Sequence, residues 1–535
     1  MKKKDPKKRS KKINTPDKMT LLFAVLFSLT PVIISVLLMT IKWISQGFVA
    51  LPSVKWNDEA AYIKLIETYS RYISPKGYWG FDSNHALIGT GSAWSAAILA
   101  PYVLPALIFP VEYSFVYVCN LIYMVLANVA FSFLVKPDKK KYIKLILAQV
   151  TSVVFVLYIN TNMSELFRYA LAVLIAGMLY KMFFDKCPGW LKYAVIPITI
   201  VYAVQVYTFF AFCIPLYVFA LLKEKKLIYR ILIAIAAGGF ITFVSYGILH
   251  LISSNYNIGK TESLLNAIST GQIFAAVKSF FSMVLDGVRG LLNLRYYITT
   301  NGVYIFHVMI ILLIIVSGCL TFFSKTSAKK DKTIALIAIY STALFVFMYM
   351  TLYTIVPDTF LRGTFIPVIF SVYLFMMTED KFLAWTILVC NVTGLFFLPV
   401  NLKNFQSTER YYTKEEINEW KIMKTDLSEV MILDGEGTEW DNTVVMYTME
   451  PKVILAVPKG FGQYYVLHND YYGSDSGYIL VSKISHVRED WIEQDYSALM
   501  IENSAAIEYY YDVIYDKNGY IVYRRKDLSA AGIDE

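Results

Sequence analysis

The chain has 535 residues, of which 56% are hydrophobic, and a mean hydropathy of +0.49. That composition excludes an ordinary soluble enzyme. Its net charge of +9 is not a nucleic-acid signature, because the Lys and Arg residues collect at the ends of apolar runs, where they read as membrane topology.

The opening "MKKKDPKKRSKK" precedes an apolar run from Met19 to about Ile44. The run is longer than a signal-peptide core and has no small-residue cleavage site, so it reads as a retained span behind a cytoplasmic tail, residues 1–18. Residues 45–112 follow as a first outer loop. Further spans are expected at 113–135, 142–160, 164–184, 191–205, 207–222, 228–251, 302–323, 333–354, 360–378 and 381–400, about eleven in all. The basic loops "KPDKKKYIK", "KEKK" and "SKTSAKKDK" then all face inward, and 252–301 forms a second long outer loop. Residues 86–109 are apolar but carry Gly89, Gly91, Pro101 and Pro105. If they crossed, all three basic loops would face outward, so a re-entrant or interfacial segment is expected.

Two outer stretches, 58–73 and 274–292, have apolar residues at i, i+3, i+4 and i+7 and read as amphipathic helices lying on the membrane. The tail, 401–535, changes character. "NTVVMYT", "KVILAV", "GYILVS" and "GYIVYR" read as short strands, and "KEEINEWKIMKTDL" and "DWIEQDYSALMIEN" as helices. The fold class is therefore mostly α, a polytopic membrane domain (19–400) followed by a small extracytoplasmic α/β domain. The five cysteines lie in or beside apolar runs and the tail has none, which excludes a disulfide framework and favours a bacterial envelope protein.

The chemistry lies at one membrane face. Asp58 and Glu59 begin the first outer helix; dipole complementarity alone accounts for acids there. Glu165 and Arg168 start the span at 164–184, Asp358 and Arg362 the span at 360–378, and Arg289, Arg295 and His85 sit in outer loops. Singly, each is explained by snorkelling or by a pair three or four residues apart. Together they place carboxylates and guanidiniums around one outer cavity. A carboxylate there could act as a base or, with Asp58 and Glu165 together, hold a divalent cation such as Mg or Mn. Guanidiniums suit a phosphate leaving group.

The order of span, outer loop opening with "DE" and then Tyr, amphipathic helix, Gly/Pro-containing apolar segment, and span ending in basic residues resembles the GT-C superfamily of membrane glycosyltransferases. It looks most like the branch of protein O-mannosyltransferases and aminoarabinose transferases. The resemblance implies transfer of a sugar from a polyprenyl-phosphate donor at the non-cytoplasmic face, to an envelope glycan, lipid or protein. It implies Asp58 as the catalytic acid residue with Glu59 beside it, Glu165 as the second-loop acid, and Arg362 or Arg295 on the lipid phosphate; Arg168 and His85, at the same depth, are further candidates for substrate binding. The chain departs from the pattern in having "GSAWSAAILAP" where a Lys-Pro-Pro signature is common, and one acid rather than two in the second loop. A transporter or flippase for a lipid-linked sugar is the alternative; intramembrane charges and broken helices suit it, the absence of repeated halves does not. A noncatalytic scaffold with a wall-binding tail is the third.

Overall fold

The computed structural model describes residues 17–46, 51–72 (except 53, 55 and 56), 96–252, 264–293 (except 265), 302–352, 357–379, 381–396, 413–465 (except 439 and 449), 476–483 and 505–529. The chain is a mostly helical, polytopic membrane protein with a small mixed sheet near its C-terminus.

Among the described residues six helices are long and apolar enough to cross a membrane, and their apolar windows lie in Lys18–Ile41, Phe115–Val135, Glu165–Phe184, Leu227–Ser245, Ile305–Phe323 and Lys329–Thr351. In chain order the elements that matter are α1 (Lys18–Gln46), α2 (Asn57–Tyr72), α3 (Ala96–Ala106), α4 (Phe115–Val135), α5 (Lys139–Val150), α6 (Val153–Tyr158) and α7 (Glu165–Phe184). A π turn (Leu191–Val195) leads into α8 (Ile196–Val206), followed by α9 (Cys213–Leu221), α10 (Leu227–Ile252), α11 (Ile273–Leu292) and α12 (Gly302–Phe323). The apolar part closes with α13 (Lys329–Leu352), α14 (Pro357–Phe375) and α15 (Lys381–Phe396).

The expected span at 142–160 is broken into α5 and α6 at Thr151 and Ser152, whose hydroxyls bond locally, Thr151 to the Leu147 carbonyl and Ser152 to the Phe155 N–H. Helix α3 has 11 residues, about 16 Å of rise, half of a ~30 Å hydrocarbon core. The described part of 86–109 is thus too short to cross, while residues 86–95 lie outside the described residues.

Helix α7 is the centre of the bundle. Sixteen of its residues are buried, and it packs against α4 on one side and α14 on the other. Glycine permits the closest approaches elsewhere. A Cβ on Gly287 of α11 would lie 2.2 Å from the Met350 carbonyl oxygen of α13. One on Gly363 of α14 would lie 2.1 Å from the ring of Tyr349, itself buried. Helix α11 buries Ala276 and Met283 with Gly287 and leaves Phe274, Val277, Phe281 and Leu285 exposed, an oily face at the expected amphipathic stretch.

Helix α2 differs from expectation. Its apolar face is buried, but so is its polar face: Lys64 is 7% exposed and Glu67 4%. The C-terminal domain covers it. Lys64 Nζ donates to Glu67 at 2.9 Å and to the Val457 carbonyl at 2.5 Å. Periodicity reports one wet face and cannot see that a distant domain will dry it. Lys64→Met is expected to lower the melting temperature, because it leaves the Glu67 carboxylate buried without its ammonium, about 3 kcal/mol. Lys64→Met combined with Glu67→Leu should recover most of the loss, as followed by thermal unfolding.

The C-terminal domain starts with α16 (Lys414–Val430), whose Thr413 and Glu416 form a complete capping box. Among the described residues a five-stranded sheet follows in the order β2-β1-β3-β5-β4, built from β1 (Thr443–Tyr447), β2 (Gly462–Tyr465), β3 (Tyr478–Ser482), β4 (Tyr511–Lys517) and β5 (Tyr520–Arg525). Strands β1, β2 and β3 run parallel; β5 is antiparallel to β3 and β4. The β4–β5 turn is Asn518-Gly519, both at positive φ, as a two-residue hairpin of this kind requires. "KVILAV" is not a strand. Pro451–Ala456 is a helix, α17, because the parallel pair β1 and β2 needs a crossover between them and Pro451 pre-sets its first turn. "DWIEQDYSALMIEN" lies outside the described residues.

Candidate active site

Three charged groups distant in sequence meet at one end of the bundle. Arg362, near the start of α14, donates from Nε to Glu165 Oε1 at 2.8 Å and from Nη2 to Asp58 Oδ2 at 3.2 Å. Glu165 opens α7 and Asp58 lies in the first turn of α2. Gly363, the residue after Arg362, is where α14 approaches the Tyr349 ring too closely for a Cβ. The Glu165 side chain is fully buried, whereas those of Arg362 and Asp58 are 33% and 23% exposed. The cluster therefore has a closed side at Glu165 and an open side at Asp58.

A second layer lies behind it. Arg168, one turn into α7, donates to Ser164 Oγ at 3.0 Å and stacks over the Tyr207 ring at 4.7 Å. Ser164 in turn donates to the Tyr62 hydroxyl at 3.0 Å. Burial pushes the Tyr62 phenol up to about 12, with Arg168 acting in the opposite sense, so Tyr62 keeps its proton at neutral pH. Among the described residues, Glu165 Oε2 and Arg168 Nε are buried and have no hydrogen-bond partner. Two such atoms beside one ion-pair cluster mark a site built for something besides its own closure.

Glu59 points elsewhere. It is fully buried, and its Oε1 accepts the Asn162 backbone N–H at 2.8 Å. Its partner belongs to the link "NTNMS" between α6 and α7. In the structure that link is buried and cross-braced. Asn162 bonds the Tyr113 carbonyl and the Tyr117 N–H, Asn160 accepts from Ser35, and the Met163 carbonyl accepts from Asn120. These Asn and Ser residues, with Tyr62, escaped the sequence reading. Their signal was the density of small polar residues inside an apolar chain. His307 was missed as well; it is buried and shares a 2.6 Å hydrogen bond with Thr364, two residues beyond Arg362.

Arg289 is not part of the cluster: it is exposed and sits 3.5 Å from Asp286 on its own helix. His85, Arg295 and the side chain of Asp358 lie outside the described residues.

Asp58 and Glu165, the carboxylates expected to share a cation, are bridged here by a side chain of the chain itself. The position between them is taken by the Arg362 guanidinium. Among the described residues no three His, Cys, Asp or Glu side chains converge, fewer than the oxygen-rich shell that Mg or Ca requires.

No protein-family model matches the sequence, and no curated protein matches it. Among solved structures, the chain is similar to the Archaeoglobus fulgidus oligosaccharyltransferase in complex with Zn and sulfate, at 12% identity and TM-score 0.49, covering 95% of this chain and 73% of that one. The Archaeoglobus fulgidus oligosaccharyltransferase AglB, in complex with an inhibitory peptide and a dolichol-phosphate, aligns at 13% identity and TM-score 0.43, covering 96% and 74%. ArnT from Cupriavidus metallidurans, bound to undecaprenyl phosphate, aligns at 10% identity and TM-score 0.46, covering 92% and 97%.

Proposed function

We propose that the chain is a membrane glycosyltransferase of the GT-C type. It moves a sugar from a polyprenyl-phosphate donor to a hydroxyl of an extracytoplasmic acceptor: an envelope glycan, a lipid or a protein. The observation that carries this reading is the convergence of Asp58, Glu165 and Arg362, which lie 304 and 197 residues apart along the pairs they form.

The chemistry follows from the two sides of the cluster. Asp58, on the open side, takes the proton of the acceptor hydroxyl as its oxygen attacks the anomeric carbon. The bond from that carbon to the phosphate oxygen breaks, and the polyprenyl phosphate leaves with the electron pair. Arg362 is the group that stabilises this anion. In the resting arrangement Arg362 is held by both acids, so an arriving phosphate competes with Asp58 for the guanidinium. Displacing Asp58 frees its carboxylate for the acceptor proton at the moment the donor is in place. Glu165, fully buried, stays on Nε and keeps the guanidinium plane oriented. A single base gives a single displacement with inversion. Arg362 thereby supplies the positive charge that a Mg or Mn ion between Asp58 and Glu165 would otherwise supply. Glu59 acts by fixing α2 to the Asn162 link.

The test is reconstitution of the full chain in proteoliposomes with a labelled polyprenyl-phosphate sugar and envelope acceptors. Formation of a labelled glycosidic bond that persists in excess chelator supports this reading. Movement of label across the bilayer with no new glycosidic bond supports the transporter and contradicts it.

A further inference from the structure

Helix α7 begins at the acid cluster and runs 20 residues to Phe184, about 30 Å along its axis. At that far end, the segment after α7, the π turn and the end of α9 enclose an open pocket of about 340 Å³. Asp185, Lys186, Cys187, Lys192 and Lys223 line it. Three lysines thus line it with one acid, and that carboxylate is already 3.1 Å from Lys181 Nζ.

The cations are not consumed by the fold. Among the described residues, Lys186 and Lys223 make no hydrogen bond to protein, and Lys192 Nζ reaches only the neighbouring Tyr193 hydroxyl, at 3.1 Å. Arg230 nearby is the contrast: its guanidinium is committed to the Phe219 carbonyl at 2.8 and 3.2 Å. The backbone that presents Lys192 is held in place, because Tyr217 donates to its carbonyl at 3.0 Å. The π turn at Leu191–Val195 is itself a widened helix of the kind that recurs at functional positions. Exposed Trp190 and Tyr193 flank the pocket, and exposed Leu227, Ile228 and Tyr229 begin the next apolar helix. Aromatic side chains so placed mark headgroup depth.

We propose that this pocket binds the phosphate of an anionic phospholipid from the leaflet opposite the acid cluster. The shared chemistry is a phosphate oxygen on two or three ammonium groups. The pocket is of headgroup size rather than ion size, and it lies between helix ends at membrane depth, where basic pockets take lipid headgroups. A lipid is thus favoured over free phosphate.

Native mass spectrometry of the full chain, titrated with phosphatidylglycerol or phosphatidylcholine, tests this without any assay of transfer. Phosphatidylglycerol should be retained more strongly than phosphatidylcholine. The triple variant Lys186→Gln, Lys192→Gln, Lys223→Gln should lower that retention roughly tenfold or more. Arginine at the same three positions should preserve it, which separates lost charge from lost folding. A control triple on the basic loop at Lys136, Lys139 and Lys140 should leave retention near the parent value. Equal loss in the control, or no loss in the pocket triple, overturns the proposal. Displacement of the lipid by millimolar inorganic phosphate assigns the pocket to the free anion and overturns the lipid assignment.

Discussion

Asp58→Asn is expected to lower kcat/KM for transfer by about 10² to 10⁴, the range that a positioned general base contributes. The substitution keeps the side-chain shape and an oxygen that can accept from Arg362 Nη2. It removes the capacity to take a proton. Stability should change little, because the Asp58 side chain is 23% exposed and its partner Arg362 retains Glu165 at 2.8 Å; a solvent-screened pair of this kind contributes about 1 kcal/mol or less. Donor binding should be retained, since a neutral amide in place of Asp58 competes less than a carboxylate for the guanidinium. The diagnostic pattern is a fall in kcat with KM for the donor unchanged or lower. A normal rate in the Asp58→Asn variant removes Asp58 from the chemistry.

Arg362 should separate chemistry from structure. Arg362→Lys keeps the charge but loses the fork that reaches two acids at once, and transfer should fall about 10² to 10³-fold. Arg362→Ala should also destabilise the protein, by about 3 to 5 kcal/mol, because Glu165 is left fully buried and uncompensated. Arg362→Ala with Glu165→Gln should recover much of that stability, since a neutral amide costs less to bury than a carboxylate. It should recover no transfer. Thermal unfolding and initial rates, measured on the parent and these three variants, distinguish these outcomes. If activity returned together with stability in the double variant, Arg362 would be a structural brace alone.

Much of the bundle was legible because membrane topology is written locally. The lengths of apolar runs locate most of the bundle's helices without tertiary information, although several of the eleven expected spans, such as 360–378, are shorter helices in the structure. That Asp58, Glu165 and Arg362 could meet was legible too, because each sits at the end of an apolar run or beside one. Their pairing was not legible, because i, i+3 and i, i+4 neighbours such as Arg168 for Glu165 compete on paper, and only the packing of α14 on α7 decides in favour of Arg362. Glu59 looked like a twin of Asp58. One residue of helical rotation, 100° or so, turns it to the Asn162 backbone instead. The burial of Lys64 depends on a domain almost 400 residues later in the chain, and no local pattern on α2 could announce it. The helix at Pro451–Ala456 was misread because a short buried apolar run is compatible with either period. Only the parallel pairing of β1 with β2 removes the ambiguity.

The most direct measurement is the position of a bound polyprenyl phosphate in an electron cryomicroscopy map of the full chain in lipid nanodiscs. The account places the phosphate within hydrogen-bond distance of Arg362, with Asp58 released toward solvent and Glu165 still on the guanidinium. A phosphate seated away from these three residues, or an Arg362 that remains locked to both carboxylates beside a bound donor, would contradict it.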